Sequence, residues 1–414
     1  MNDSLIHSTV DSSIWKELAE DFFLKIALFI FVIIVFNFNE SGLMNYAAIL
    51  LGLAFLFKKP IFILKPSFKF PIEIVLLNLW ILWSAITGFF VAVNIENYLD
   101  GLETASLTIA TINLVFFLLS YDLRLVKIIF LGVLVTGLLQ FFAIQFGFQS
   151  EEVVDKVRQQ GLAGNPNSLG LKMVFASFVT IIALREVVKF KVFAYILVIV
   201  LLVIFFNIIL DSGSRKSAIS FFIVISFTIA SYLTNNSNKF DFKRIAIIVS
   251  IIGFIAFLVT PILIEGTILE ERFEQQEDRG GLEGDIRYKM YTFGFQLFMD
   301  HPVLGVGFDN YKEYFPTKLY SHSDYIESLT STGFVGFILY QLPFFMIIFK
   351  AITIAGYLTD KKIRFYAIMC FVGVIVIKVI GLGIILYNTS PSAMIIFASL
   401  LSFTYYLKKD ESLL

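Results

Sequence analysis

The chain has 414 residues, of which 58% are hydrophobic and 48 are phenylalanine. One soluble core cannot bury that much apolar surface, whereas a bilayer accepts it, so the composition excludes a soluble globular domain and predicts a membrane-embedded protein. The formal net charge of −1 excludes a polybasic protein that binds nucleic acid. The single cysteine, Cys370, excludes an internal disulfide and a thiolate metal site.

The N-terminal segment 1–21 is polar and acidic. It has no basic n-region and no small-residue cleavage site before the first apolar run, so we expect no removable signal peptide. The segment is predicted to be a cytoplasmic tail.

Apolar runs of spanning length predict an all-α membrane protein with about twelve transmembrane helices. The runs lie near 22–38, 42–57, 72–93, 102–119, 125–147, 168–184, 190–209, 215–232, 244–264, 332–352, 365–386 and 392–407. Helices 1–9 thus occupy 22–264 and helices 10–12 occupy 332–407. Between them lies one large loop, 265–331, which we expect to carry short helices.

Lysine and arginine predict the orientation, because short loops rich in them stay in the cytoplasm. They cluster in alternate loops: Lys58, Lys59, Lys65 and Lys69; Arg124 and Lys127; Arg185, Lys189 and Lys191; Lys239, Lys243 and Arg244; Lys350, Lys361, Lys362 and Arg364; Lys408 and Lys409. The tail 408–414 is therefore predicted to be cytoplasmic, and segments 94–100, 148–167, 265–331 and 387–391 to face outward. The cytoplasmic loops contain no Gly-rich phosphate cradle, so we look for chemistry on the outer side.

The first outer feature is the run 211–216, Asp-Ser-Gly-Ser-Arg-Lys, which opens the eighth span. Ser212 or Ser214 can cap the helix, and Arg215 then lies in its first turn, beside Lys216. A diphosphate would be stabilised there by the helix dipole, by free N–H groups and by the guanidinium. Alternatively, the two cations only reach lipid headgroups, or Arg215 pairs with Asp211.

The second outer feature is the run 321–327, Ser-His-Ser-Asp-Tyr-Ile-Glu, at the start of the tenth span. Of the three histidines, His322 is the best-placed base, and its ordinary pKa of about 6.5 suits proton transfer. A structural role for this residue stays open. Ser321 and Asp324 fit a capping box, which makes Asp324 a helix cap in preference to a catalytic carboxylate. Glu327 either orients a neighbouring group or lies on a solvated helix face, and the second interpretation is favoured.

The third outer feature begins with Arg287 and Tyr288 and ends in the run 300–307, Asp-His-Pro-Val-Leu-Gly-Val-Gly. Large apolar residues at helical spacing predict an amphipathic helix on the membrane surface; they are Met290, Phe293, Leu297 and Phe298. Arg287 is either an ordinary charge on that helix or an anion ligand. The glycines at 305 and 307 are typical of turns.

Three further residues are candidates for substrate binding. Asn165 lies in an outer turn that caps the sixth span, and its amide can contact sugar hydroxyls. Arg158 in the same loop either binds an anion or pairs with nearby acidic residues. Lys378 lies inside the eleventh span, where an ammonium is costly, so it either faces inward or extends toward the headgroups. The Glu283-x-Asp285 pair does not suffice to predict a metal site.

These motifs resemble the O-antigen ligase and polymerase superfamily of bacterial membrane glycosyltransferases. Its Arg-x3-Leu element corresponds to Arg215 and Ile219, with a conservative departure, and its His-x10-Gly element to His322 and Gly333. The segment 287–307 resembles the family's Arg-led stretch ending in His-Pro-x-Leu-Gly-x-Gly, and Gly-Asn-Pro-Asn at 164–167 resembles its Gly-Asn-x-Asn turn. The resemblance covers roughly residues 155–345.

The resemblance implies a C-type glycosyltransferase-like helical fold that acts on glycan linked to undecaprenyl diphosphate. Arg215 and Arg287 would hold the diphosphate, and His322 would assist the acceptor hydroxyl. Further substrate contacts are expected from Arg158, Asn165, Ser214, Lys216, Tyr288 and Lys378. No cofactor or metal is expected, since paired guanidiniums can stabilise the leaving diphosphate.

The resemblance also implies the partners: a lipid-linked glycan donor, a glycan or lipid-core acceptor, the bilayer and other polysaccharide-assembly proteins, with no nucleic acid. The expected location is the bacterial cytoplasmic membrane with the site facing outward. A polymerase is favoured over a ligase because no soluble C-terminal domain is evident. A lipid-linked sugar flippase is the alternative of another class, but it should place ionisable residues in several spans.

Overall fold

The computed structural model describes residues 22–38, 43–58, 70–147, 159–187, 191–234, 241–265, 286–358 and 360–409. Within these ranges every regular element is a helix, so the all-α class is confirmed. Apolar side chains form one extended core and a smaller, separate cluster around Met290, Leu297 and Tyr311.

The helices before the large loop are α1 (Phe22–Asn37), α2 (Leu43–Lys58), α3 (Ile72–Val91), α4 (Ile95–Tyr121), α5 (Val126–Gln145), α6 (Pro166–Val187), α7 (Lys191–Ser212), α8 (Arg215–Thr234) and α9 (Phe242–Ile264). The later helices are α10 (Ile286–Asp300), α11 (Tyr311–Tyr314), α12 (Asp324–Tyr357), α13 (Lys361–Gly381), α14 (Leu386–Thr389) and α15 (Pro391–Lys409). Two short 3-10 turns, Leu123–Leu125 and Gly161–Ala163, precede α5 and α6.

A helix occurs at each of the twelve predicted positions. Among the described residues, eight helices are long and apolar enough to cross a membrane, namely α3 to α8, α12 and α13. The helices α1, α2 and α15 are apolar but shorter. The multi-pass class is thus supported, and the count of twelve stays a prediction.

Two helices form the interior of the bundle. Buried residues make up 83% of the spanning window of α6 and 78% of that of α13, against 28% for α7. α6 packs against α5, α7 and α8, while α13 packs against α8, α12 and α15. The two inner helices therefore separate the α7–α8 side of the molecule from the α12 side, and both sides contribute candidate site residues.

Two helix boundaries near the site differ from the prediction. α12 begins at Asp324, eight residues before the predicted start, and its first turns are polar but buried. The backbone of this helix is interrupted at Gly333, where φ is 65° and ψ is −174°. α13 ends at Gly381, five residues early, and a short link leads to α14. Hydropathy missed the start of α12 because protein groups, not lipid, surround its polar first turns. It extended α13 too far because the segment 382–386 is also apolar.

Loops that were all predicted to face outward meet at one end of the bundle. The loop between α3 and α4 bonds to the segment before α11 in both directions, since the Asn94 N–H donates to Asn310 Oδ1 (2.7 Å) and Asn310 Nδ2 donates to the Asn94 carbonyl (3.1 Å). The Leu386 N–H donates to Asp324 Oδ1 (3.1 Å), and the Gln159 N–H donates to the Asp211 carbonyl (3.2 Å). The predicted grouping of loops thus agrees with these contacts, while the direction this end faces stays a prediction.

Candidate active site

The turn between α7 and α8 presents two cations at a helix N-terminus. Gly213 has φ of 61°, the left-handed conformation that this sharp reversal requires. The Ser214 carbonyl accepts the first hydrogen bond of α8, which the Ala218 N–H donates. The Ser214 hydroxyl lies 2.8 Å from that of Ser217. Arg215 and Lys216 follow directly and are half-buried. The hydroxyl of Ser214 is thus used inside the turn, and the cations are held by a rigid helix start.

α6 supports this turn from behind. A Cβ atom at Gly170 would lie 2.7 Å from Ser217 Oγ and 2.9 Å from Ser212 Oγ, so only glycine lets the turn approach so closely. On the other side, the Lys216 side chain occupies the space where a Cβ atom of Gly383 would stand. Lys216 therefore reaches from α8 to the link between α13 and α14.

α10 is the predicted amphipathic helix, and it brings Arg287 to the same end. Its buried face, Met290, Gly294 and Leu297, packs against α12. Tyr311 donates to the Met290 carbonyl (2.8 Å), and Tyr291 donates to the Leu382 carbonyl (2.7 Å), on the link that Lys216 also reaches. Arg287 is half-buried.

The side of α10 away from its buried face is exposed within the described chain, and it carries the apolar side chains of Tyr288, Phe295 and Met299 beside polar ones such as Lys289 and Gln296. The segment that follows adds the exposed side chains of Val303 and Leu304. The sequence had predicted membrane contact through residues that include Met290, Phe293 and Leu297, but these pack inside the protein. Contact between the exposed side and the membrane interface stays a prediction. Tyr288 points away from the buried face, beside Arg287.

His322 lies in the loop just before α12 in an unusual backbone conformation. Its φ is 52°, which is uncommon for a residue other than glycine. Its ring packs on that of Tyr320, with centroids 4.0 Å apart and planes at 41°. Because the ring is largely buried, and because Arg287 and Lys216 are close enough to repel a second positive charge, the pKa of His322 is lowered to about 4. The ordinary pKa expected from the sequence is thus corrected, and the imidazole is neutral at pH 7.

The structure therefore groups three of the candidate residues: His322, Arg287 and Lys216. They come from the α12 loop, from α10 and from α8. Arg215 precedes Lys216 on the first turn of α8. A neutral base beside fixed cations is an arrangement that can bind an anion and accept a proton from a neighbouring hydroxyl.

The predicted capping roles at the start of α12 are wrong. The N-cap is Ser323, whose Oγ accepts the Ile326 N–H at 3.4 Å, and not Ser321. Asp324 is buried and accepts from Lys378 Nζ at 2.9 Å. Glu327 is buried rather than solvated, and it accepts the Ser321 N–H at 3.2 Å. Both carboxylates can be buried because protein donors replace water as their hydrogen-bond partners.

Lys378 faces inward on α13 and is only 6% exposed. Besides Asp324, its ammonium donates to Gln341 Oε1 (2.5 Å) and lies 4.4 Å from the ring centroids of Tyr325 and Phe344. A direct contact with substrate would require this ion pair to open. No motif in the sequence predicted the ion pair between Lys378 and Asp324, because the two residues are 54 positions apart.

Asn165 is the N-cap of α6, as predicted. Its Oδ1 accepts the N–H groups of Asn167 (2.8 Å) and Ser168 (3.4 Å), and Pro166 opens the helix. The residue is exposed, on the loop that contacts Asp211. Arg158, Glu283 and Asp285 lie outside the described residues.

The break at Gly333 is joined to the predicted glycine turns at 305 and 307. Both turn glycines have positive φ, 73° and 87°. The Val306 and Gly307 N–H groups donate to the carbonyls of Thr330 and Ser331, each at 2.9 Å. These bonds satisfy carbonyls that the interrupted helix leaves without a helical partner. The segment after α10 is thus docked against the part of α12 that follows His322.

Sequence reasoning missed Lys172, which is fully buried in α6, two turns beyond Asn165. The available signal was a lysine inside an apolar run, which is by default a candidate functional residue. Within the described residues, no three of His, Cys, Asp and Glu lie close enough together to hold a metal ion.

Together the fold and the site define a multi-pass helical membrane protein with a cationic, histidine-containing site at one end of its bundle. Residues 200–341 match the family model described as O-Antigen ligase, a segment that contains Arg215, Lys216, Arg287 and His322. The resemblance to the O-antigen ligase and polymerase superfamily is thereby confirmed. No curated protein matches the chain.

Proposed function

We propose that this protein is a polysaccharide polymerase that transfers glycan from undecaprenyl diphosphate to a lipid-linked repeat unit on the outer face of the bacterial cytoplasmic membrane. The family match supports an enzyme of the O-antigen ligase or polymerase type, with lipid-linked glycan substrates. Polymerase activity and the lipid carrier are proposed from the sequence resemblance, and the outward orientation is proposed from the distribution of lysine and arginine.

One observation supports the transfer chemistry above all others: His322 lies close to Arg287 and Lys216, and burial together with these two cations lowers the pKa of the imidazole to about 4. A base is useful only when it is unprotonated, and His322 is neutral at physiological pH. The cations that keep it neutral are the groups that would bind a diphosphate. Donor binding would then cancel their repulsion and make His322 a stronger base when it is needed.

In the proposed step, the bond between the anomeric carbon and the diphosphate oxygen breaks, and a bond between that carbon and the acceptor oxygen forms. His322 takes the acceptor hydroxyl proton, and undecaprenyl diphosphate leaves as an anion. Arg287, Arg215 and Lys216 stabilise the charge that develops on the leaving oxygen, assisted by the N-terminus of α8. The exposed residues Tyr288 and Asn165 are proposed substrate contacts, as is Arg158. Ser214 would contribute through the turn that it forms, since its hydroxyl is buried against Ser217. The step needs no metal, since fixed cations supply the charge.

A ligase would use the same residues and differ only in acceptor, which would be a lipid A core or a protein. A flippase would leave the arrangement of His322, Arg287 and Lys216 unexplained, since flipping transfers no proton to or from the sugar. We further propose that both termini are cytoplasmic and that the protein works with other polysaccharide-assembly proteins.

The surface-glycan profile of a deletion strain tests this proposal, combined with extraction of lipid-linked intermediates. We expect single repeats and no ladder, with the ladder restored by the wild-type gene but not by His322→Ala. Full-length glycan trapped on the carrier would identify a ligase instead. Repeats trapped in the cytoplasmic leaflet would identify a flippase and overturn the transferase.

A further inference from the structure

The left-handed backbone of His322 needs support from its surroundings. At φ of 52° a residue with a Cβ atom is strained, and such strain persists only where neighbouring groups enforce it. In this conformation the imidazole packs on the Tyr320 ring. The groups that flank His322 in sequence should therefore be unusually well fixed.

Asp324, two residues after His322, is the centre of a buried hydrogen-bond network. Its Oδ2 accepts from Lys378 Nζ at 2.9 Å, while its Oδ1 accepts from the Tyr340 hydroxyl at 2.9 Å and from the Leu386 N–H at 3.1 Å. The carboxylate itself is fully buried. These donors belong to the body of α12, to α13 and to α14, so the first residue of α12 is fixed to three elements at once.

Glu327 fixes the other flank. Its Oε2 accepts the N–H of Ser321, the residue before His322, at 3.2 Å. Its Oε1 lies 3.5 Å from the Ser331 hydroxyl, one turn further along α12 and next to the docked segment at Gly307. The two carboxylates therefore hold the peptide on either side of His322.

We propose that Asp324, through its ion pair with Lys378, and Glu327 are positioning residues that hold His322 in its left-handed conformation, with the imidazole facing Arg287 and Lys216. The positioning itself is independent of the reaction; its effect on turnover rests on the proposed function. This assigns Lys378 an indirect role, through Asp324, rather than a contact with substrate.

The chain offers a matched control for a merely structural ion pair. Glu73 on α3 is fully buried and pairs with Lys350, which lies near the opposite end of α12 from His322. Removal of Asp324 leaves the Lys378 ammonium buried without its carboxylate, whereas removal of Glu73 leaves Lys350, whose side chain is 24% exposed. Both changes should lower stability, the first one more. Only the pair at Asp324 should change the geometry of His322.

The first test reads the His322 ring directly. The chain has three histidines, so a sample labelled at histidine gives three ring signals in nanodiscs, which His7→Asn and His301→Asn assign. We expect Asp324→Ala and Glu327→Ala to move or broaden the His322 signal, whereas Glu73→Ala leaves it in place. Asp324→Asn, which keeps the side-chain shape, replaces the alanine variant if that fails to fold. An unchanged His322 signal in a folded variant overturns the inference.

The second test separates positioning from stability. The double variant Asp324→Ala/Lys378→Met removes the buried charge together with its partner, so its melting temperature should return toward the wild-type value. Its turnover should stay low, by about 10²-fold if the base is misplaced, with little change in the KM for the lipid-linked donor. Recovery of full turnover along with stability would show a structural role only.

The catalytic role of His322 and its positioning by Asp324 and Glu327 can be disproved separately. If His322→Ala retains full transfer, the proposed catalytic role of His322 is wrong, yet the ring signals still decide whether the carboxylates position it. If His322→Ala is inactive but the His322 signal ignores Asp324 and Glu327, the catalytic role stands and the positioning is wrong.

Discussion

Gly333 lies so close to Val303 that a Cβ atom on residue 333 would stand 2.1 Å from the Val303 carbonyl oxygen. The glycine also has φ of 65°, in the left-handed region. Next to it, the Phe334 N–H donates to the Pro302 carbonyl at 2.8 Å, which replaces the helical bond lost at the break. Gly333, which forms the His-x10-Gly element with His322, is thus the residue at which the segment following α10 packs against α12.

Gly333→Ala should therefore destabilise the protein strongly. A Cβ atom there meets backbone, which cannot turn aside, and the left-handed conformation adds strain, so we expect a loss of more than about 2 kcal/mol. Melting of the purified protein in nanodiscs measures it. Gly356→Ala on the same helix is the control, because nothing lies within 4 Å of the added atom; it should be neutral or slightly stabilising. Equal melting temperatures for the two variants would contradict the packing described for Gly333.

His322→Ala should lower glycan transfer by about 10²- to 10⁴-fold, the usual contribution of a general base, while leaving membrane insertion intact. The assay follows elongation of a purified lipid-linked repeat. His301→Ala is the matched control, since His301 follows the end of α10 opposite to Arg287, and its ring centroid lies 6.0 Å from that of Tyr314. Full activity of His322→Ala would rule out the base.

Arg215→Ala and Arg287→Ala should each lower turnover by about 10²- to 10³-fold, because each removes a donor to the leaving diphosphate. Arg287→Lys should recover part of the loss, since it keeps the charge but not the two-pronged donation of a guanidinium. Arg124→Ala, whose exposed side chain pairs with Asp122, serves as the control for removing an arginine. If the arginine variants lost only donor affinity, the cations would act in binding and not in the transfer step.

Lys216→Met should raise the pKa of His322. Burial is the largest cause of the low value, followed by Arg287 and then Lys216, so removing one cation restores only part of the shift toward the ordinary pKa. Titration of the His322 ring signal measures it. A diphosphate analogue added to the wild-type protein should raise the same pKa, because an anion favours the imidazolium. A pKa that falls in Lys216→Met would mean that the lysine lies elsewhere.

The helices were predictable because each spanning segment must satisfy its backbone and meet lipid, which leaves a long apolar run in the sequence. The start of α12 was not, because hydropathy registers lipid contact and the segment 324–331 is buried by protein instead. For the same reason, Glu327 was predicted to be solvated although it is buried.

The candidate cations and His322 were recognisable from short motifs, but their mutual distances depend on long-range contacts. Lys378 illustrates the limit. Its partner, Asp324, lies on another helix, and no spacing rule joins the two. The lowered pKa of His322 likewise depends on Arg287 and Lys216, which reach it from separate helices.

The exposed apolar side chains of α10, which are those of Tyr288, Phe295 and Met299, have a kinetic consequence. If these side chains rest in the lipid interface, the neighbouring His322 meets its substrates by lateral diffusion within one leaflet. Reaction velocity then follows the mole fraction of donor and acceptor among the lipids, not their amount per volume of buffer. Adding inert phospholipid at fixed total substrate should slow the enzyme, whereas diluting the whole vesicle suspension should leave turnover per molecule unchanged.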